Sequence, residues 1–235
     1  MMAKKFAVKG TIVPTDYQEL YEWMGFEATS PGRLEAFLAD ANGEDVELEI
    51  NSPGGYVFAG MEIYNRLMMY PGKVTATVMS IAASAASLIT CAAETVRMSP
   101  VSQLMIHRAH SWTEGDKNDM YKTAEDLAKL DESIANAYIA KTGMSHDEVI
   151  QMMDNTTWLG ADEAKALRFA DEILFQQEEQ PAAAANGAVM LTAEQVARMT
   201  EAMKAKETVK KQQETAALDL LRQRNINLKL RGVKR

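Results

Sequence analysis

The chain has 235 residues, 47% hydrophobic and 25% charged, with a formal net charge of −8. This composition supports one well-buried core with an appendage, and the acidity excludes nucleic acid as the main partner of the body, because phosphate binding needs a basic face. No apolar run reaches bilayer length, and Met1-Met2-Ala3-Lys4-Lys5 leads into mixed residues rather than a signal-peptide core, so a cytoplasmic protein with no membrane partner is expected.

In chain order, Lys5 to Val13 predicts a strand, Asp16 to Gly25 a short helix and Arg33 to Ala41 a second helix behind Ser30-Pro31-Gly32. Val46 to Ile50 alternates as Val-Glu-Leu-Glu-Ile, a strand with one wet and one dry face, and runs into Asn51-Ser52-Pro53-Gly54-Gly55. A helix over Val57 to Tyr70 and a strand over Val74 to Val78 follow. From Ser80 to Ala93 small residues dominate and predict a helix. Val96 to Met98 and Leu104 to Ile106 read as short strands. Lys117 to Lys141 reads as an amphipathic helix with Met120, Ala124, Leu127, Leu130, Ile134 and Tyr138 on one stripe. Helices over Ser145 to Met153 and Ala161 to Leu167, then a strand over Glu172 to Phe175, complete the body. Alternating strands and helices with these crossover lengths make an α/β architecture.

Composition changes near Gln176, which divides the chain into a body over residues 1–176, a flexible linker over 177–191 and a helical C-terminal extension over 192–235. Thr192-Ala193-Glu194-Gln195 resembles a capping box opening that helix. Its end carries Arg222, Arg224, Lys229, Arg231, Lys234 and Arg235 with no acid among them, a basic tail on an acidic body.

Three segments of the body bear chemistry. Met79-Ser80-Ile81-Ala82-Ala83-Ser84-Ala85-Ala86-Ser87 sits where a strand gives way to a helix, and a helix start offers unpaired N–H groups to an oxyanion beside a hydroxyl. The same small residues also suit tight helix packing. Asn51-Ser52-Pro53-Gly54-Gly55 lies at another strand-to-helix corner, where two glycines let backbone N–H groups turn into a site or simply make a turn. Met105-Ile106-His107 ends an apolar strand in a histidine, structural or acid-base in role. It is better placed than His110 in the following loop or His146 beside Ser145. No spacing of His, Cys or Asp suggests a metal, and no cofactor is expected. Cys91, the single cysteine, sits among Leu88, Ile89, Ala92 and Ala93 and reads as buried filler.

Taken together and in order, Ile50-Asn51-Ser52-Pro53-Gly54-Gly55, Ala82-Ala83-Ser84 and Met105-Ile106-His107 resemble the signatures of the ClpP peptidase family, with Thr142-Gly143 and Trp158-Leu159-Gly160-Ala161-Asp162-Glu163-Ala164 extending the likeness over Phe6 to Phe175. The run Ile81 to Ser87 and the Trp158 segment resemble the phage and prophage head-maturation branch. The resemblance implies a ClpP/crotonase-like fold of stacked strand-strand-helix units, with the helix from Lys117 as the handle. It implies Ser84 as nucleophile, His107 as general base, the N–H groups of Gly55 and Ala85 as oxyanion donors, and Ser80 and Ser87 as packing residues. The third member departs from the family: Thr156 stands where Asp or Glu is expected, leaving Asp154, an amide from Asn155, or a dyad assisted by backbone or water.

The activity implied is that of a serine endopeptidase cutting polypeptides through an acyl-enzyme, alone or fed by an ATP-driven (AAA+) unfoldase. The implied assembly is a homo-oligomer of heptameric rings. The implied setting is capsid maturation in the host cytoplasm or prohead interior, with scaffold, portal or coat protein as substrate and the extension as a docking or self-cleaved segment. Two rival readings are a catalytically silent ring acting as an assembly scaffold and a crotonase-type acyl-CoA enzyme, the latter lacking a suitable acid pair.

Overall fold

A computed structural model of the chain describes residues 3–176 together with 197, 198 and 200. The chain divides into two units, Met1–Gln176 and Gln177–Arg235. The linker expected over 177–191 and all but those three residues of the extension lie outside the described residues.

The body is the expected α/β architecture. Its strands are β1 (Lys4–Ile12), β2 (Ala28–Thr29), β3 (Val46–Gly55), β4 (Val74–Ala83), β5 (Thr95–Met98), β6 (Gln103–Ile106), β7 (Thr157–Gly160) and β8 (Glu172–Ile173). The helices are α1 (Gln18–Trp23), α2 (Pro31–Ala41), α3 (Val57–Met68), α4 (Ala85–Thr90), α5 (Lys117–Thr142), α6 (His146–Asp154) and α7 (Ala161–Ala166). One path through the sheet runs β2-β1-β3-β4-β5-β8, and every pairing along it is parallel. Covered strands of this kind carry apolar residues toward the core, as Val46, Leu48 and Ile50 of β3 and Val74, Ala76 and Val78 of β4 do, all at 3% exposure or less.

The strand β4 serves two partners in succession. Thr75 to Val78 pair with Thr95 to Met98 of β5, whereas Ile81 to Ala83 pair with Gln103 to Met105 of β6. β6 in turn pairs antiparallel with β7. Four sequence expectations change here. The strand read as ending at Val78 continues to Ala83, and the helix read from Ser80 is confined to Ala85–Thr90. The high helix propensity of Ala82 and Ala83 yields to the hydrogen-bonded pairing with Leu104 and Met105 and to full burial. Likewise Asn51 to Gly55 continues β3 instead of forming a free turn, paired with the end of β1. β7 appears where no strand was expected, because its partner β6 supplies the edge.

α5 opens on a capping box formed by Asp116 and Asp119 and closes on Gly143 at φ 71°. Its C-terminal half is anchored by Ile134, Ala135 and Tyr138, which are buried, whereas Met120 and Tyr121 in the first turns stand exposed.

Candidate active site

The parallel arrangement decides where the chemistry falls. β3, β4 and β6 run side by side in one direction, so the chain leaves all three at the same end of the sheet, where open α/β folds place their sites. Gly54 and Gly55 end β3, Ser84 follows β4 and His107 follows β6.

Ser84 caps α4 with φ 55° and ψ −123°, a backbone conformation a side-chain-bearing residue rarely adopts. Its N–H donates to Met105 O at 2.9 Å, which ties the turn to β6. Such a sharp turn from strand to helix lifts the hydroxyl clear of its neighbours. The His107 Nε2 lies 2.7 Å from Ser84 Oγ. Ala85, the first residue of α4, holds one of the N–H groups for which a helix start offers no intrahelical acceptor.

The glycine corner comes close for want of side chains. Gly54 has φ 95°, and a methyl group there would stand 2.6 Å from Ala83 O, 2.7 Å from Ser84 Cβ and 2.9 Å from Ala85 N. One on Gly55 would run into the Ile12 backbone. The buried Ser52 holds the corner: its Oγ donates to Gly10 O at 2.6 Å and accepts from Gly54 N at 3.1 Å. Gly55, Ser84, Ala85 and His107 line one cavity, whose apolar wall is Val57, Leu88, Ile134 and Tyr138.

Beneath Ser84, Ser87 Oγ donates to Ser84 O at 2.7 Å, and the Tyr138 hydroxyl lies 2.9 Å from Ser87 Oγ. Ser87 therefore does more than pack: it links the strained residue to α5. Burial pushes the Tyr138 phenol up and keeps it protonated.

The far side of the imidazole is unlike the sequence expectation. Asp154 accepts from Arg108 Nε at 2.7 Å and stands half-exposed; among the hydrogen bonds of the described residues none joins it to His107. The Arg108 guanidinium holds its carboxyl below the ordinary range. Thr156 lies in the left-handed region at φ 49°. The atom facing His107 Nδ1 is His110 Nε2, at 3.4 Å, with the rings edge to face at a centroid distance of 4.4 Å.

A second acid also bears on the site. Asp131 of α5 is buried at 5% exposure, accepts from Ala109 N at 2.7 Å and from Arg108 Nη1 at 3.1 Å, and so fixes the turn that follows His107. Desolvation lowers the His107 pKa first, proximity to His110 lowers it further, and the Asp131 charge works the other way. Asp131 escaped the sequence reading because acids on amphipathic helices are mostly solvated. The signal was there: it follows Leu127 by four residues and precedes Ile134 by three, on the apolar stripe itself.

Residues 33–177 match the Clp protease family. The chain is 33% identical over 137 residues, 57% of its length, to an ATP-dependent Clp protease proteolytic subunit of Bacteroides fragilis (strain NCTC 9343), of which the match covers 66%. A protein of the same description in B. fragilis strain YCH46 is also 33% identical, with 62% of it covered. An ATP-dependent Clp protease proteolytic subunit 1 of Chlamydia abortus is 35% identical over 137 residues, with 71% of it covered. The chain thus spans just under two thirds of the B. fragilis relatives.

Proposed function

Because the chain belongs to the Clp protease family, we propose that it is a serine endopeptidase with Ser84 as nucleophile and His107 as general base. The observation that carries this reading is the 2.7 Å contact between Ser84 Oγ and His107 Nε2 at a strained strand-to-helix turn. In the reaction, Ser84 Oγ attacks a peptide carbonyl while His107 Nε2 takes its proton. The N–H groups of Gly55 and Ala85 receive the developing oxyanion. The C–N bond then breaks, His107 returns the proton to the leaving amine, and water repeats the sequence on the acyl-enzyme. A peptide laid along the glycine corner pairs through its backbone, and the wall of Val57, Leu88, Ile134 and Tyr138 favours an apolar side chain next to the scissile bond.

The family and the exposed surface support a reading of assembly and setting. Met120 at 43% and Tyr121 at 63% exposure on the first turns of α5, with Trp112 at 81% just before it, suit burial against other copies of the chain in heptameric rings. The relatives are named as proteolytic subunits of ATP-dependent proteases, which supports an ATP-driven unfoldase as partner and a cytoplasmic setting. Among the described residues, no helix is long and apolar enough to cross a membrane. Capsid maturation, with scaffold, portal or coat protein as substrate, is supported by the likeness of Ile81 to Ser87 and the Trp158 segment to the phage branch.

Thr156 at the position of the family acid favours the second reading, a catalytically silent ring serving as an assembly scaffold. Turnover of an unfolded casein substrate by the full chain and by Ser84→Ala separates the two. Cleavage that the substitution abolishes supports the peptidase, and equal rates in both sink it.

A further inference from the structure

We propose that His110 is the positioning residue of this site, accepting the Nδ1 proton of His107 in the place where the family sets a carboxylate. The inference rests on the serine-peptidase reading and deepens it.

For His107 Nε2 to accept the Ser84 proton, the ring must carry its own proton on Nδ1, and some acceptor must hold that tautomer and the ring plane. Asp154 is engaged by Arg108 and Thr156 has no charge to offer. His110 Nε2 stands 3.4 Å from His107 Nδ1, and its lone pair accepts the bond when His110 carries its proton on Nδ1. As Ser84 Oγ attacks, its proton passes to His107 Nε2, the ring becomes an imidazolium, and its Nδ1–H bond to His110 becomes charge-assisted and stronger.

The loop is built to keep His110 there. Asp131 grips it through Ala109 N and Arg108, and Arg108 is held from its other side by Asp154. Among the described residues, the charged and titratable groups around the pair are Arg108 and Tyr138 in the cavity that both histidines line, Tyr56 and Asp126 in the hollow that His110 shares with Ser111, and Asp131 at the back of the loop.

The test uses the full chain and a fluorophosphonate probe, whose attack needs no knowledge of the natural substrate. The Ser84 Oγ–P bond forms, the P–F bond breaks, fluoride leaves and His107 takes the hydroxyl proton. Labelling rates are measured from about pH 5 to about pH 9, the range that brackets histidine titration. His110→Ala is expected to slow labelling roughly 10- to 100-fold through a mis-set base. His110→Gln, whose amide oxygen can accept the Nδ1 proton of His107, recovers most of the rate. His110 is exposed, so neither change disturbs the core. Labelling lost in Ser84→Ala and His107→Ala yet unchanged in rate and pH profile in His110→Ala overturns the role of His110 alone. Absence of Ser84 labelling in the native chain overturns the peptidase reading and this inference with it.

Discussion

The Tyr138 hydroxyl lies 2.9 Å from Ser87 Oγ, and Ser87 Oγ in turn donates to the carbonyl of Ser84 at 2.7 Å. A residue of the long helix thereby braces the strained turn. Tyr138→Phe keeps the ring and its edge contact with Phe169, 5.7 Å between centroids, but removes the donor to Ser87. Loss of one buried hydrogen bond costs about 1 kcal/mol. The expected result is a small drop in denaturation midpoint together with a several-fold drop in fluorophosphonate labelling, and labelling at the native rate would show that the brace does not reach Ser84.

Gly54 tests the close approach of β3 to Ser84. An added methyl group meets backbone atoms of Ala83 and Ala85 as well as Ser84 Cβ, and φ 95° strains any side-chain-bearing residue. Backbone cannot rotate away as a flexible side chain would. Gly54→Ala is therefore expected to cost about 1–3 kcal/mol, as overpacking does, and to abolish Ser84 labelling even where the chain remains folded by circular dichroism.

How far the sequence alone reaches is clearest at these same residues. His107 stood out as the end of an apolar strand, whereas Ser84 was singled out by the resemblance of Ala82-Ala83-Ser84, its own strand having been read as ending at Val78; that parallel strands deliver the two to one place depends on the pairing of β4 with β6. The glycine corner was legible from composition, but its continuation of β3 was not: strand pairing at Asn51 to Gly55 depends on β1, distant in sequence. Ala82 and Ala83 read as helix because local propensity knows nothing of β6. The contact between His107 and His110 depends on a turn whose shape is set by Asp131, more than twenty residues away, so three residues of spacing could not reveal it.

Asp154 was the acid the sequence offered for the triad, and its bond to Arg108 gives it another task. An exposed ion pair contributes little to stability. Asp154→Ala is expected to change Ser84 labelling by less than about twofold, since Asp131 still holds Arg108 on its other side. A loss of labelling comparable with that in His107→Ala would instead return Asp154 to the mechanism.

Cys91 reports on opening of the core beneath the site. It is buried, its Sγ approaches Ser87 O at 3.4 Å, and burial pushes its pKa up to about 12. A thiol so protonated is a poor nucleophile. Iodoacetamide is expected to leave the native chain at its unmodified mass and to add a single adduct in denaturant; rapid alkylation of the folded chain would mean that α4 opens readily.

With His107 as the proposed base, Asp131 influences the pH at which it is lost. Its charge raises the His107 pKa against the larger lowering by desolvation and by His110. The base works when neutral, so the acid limb of activity is expected below the ordinary histidine value of about 6.5. Asp131→Asn keeps an oxygen for Ala109 N and removes the charge, so the limb moves to still lower pH while the neutral plateau falls, the imidazolium of the transition state having lost its counter-charge. Folding responds with a definite sign. A histidine with a lowered folded pKa binds fewer protons folded than unfolded, so its contribution to stability rises with pH between the lowered value and about 6.5. His146 opposes this: its pKa is raised, chiefly by its bond to Glu132, and its contribution is full below about 6.5 and lost as pH rises through the folded value. Because the two partly cancel in a melting curve, the labelling rate against pH is the clean readout, and an acid limb that moves upward in Asp131→Asn would refute the assignment.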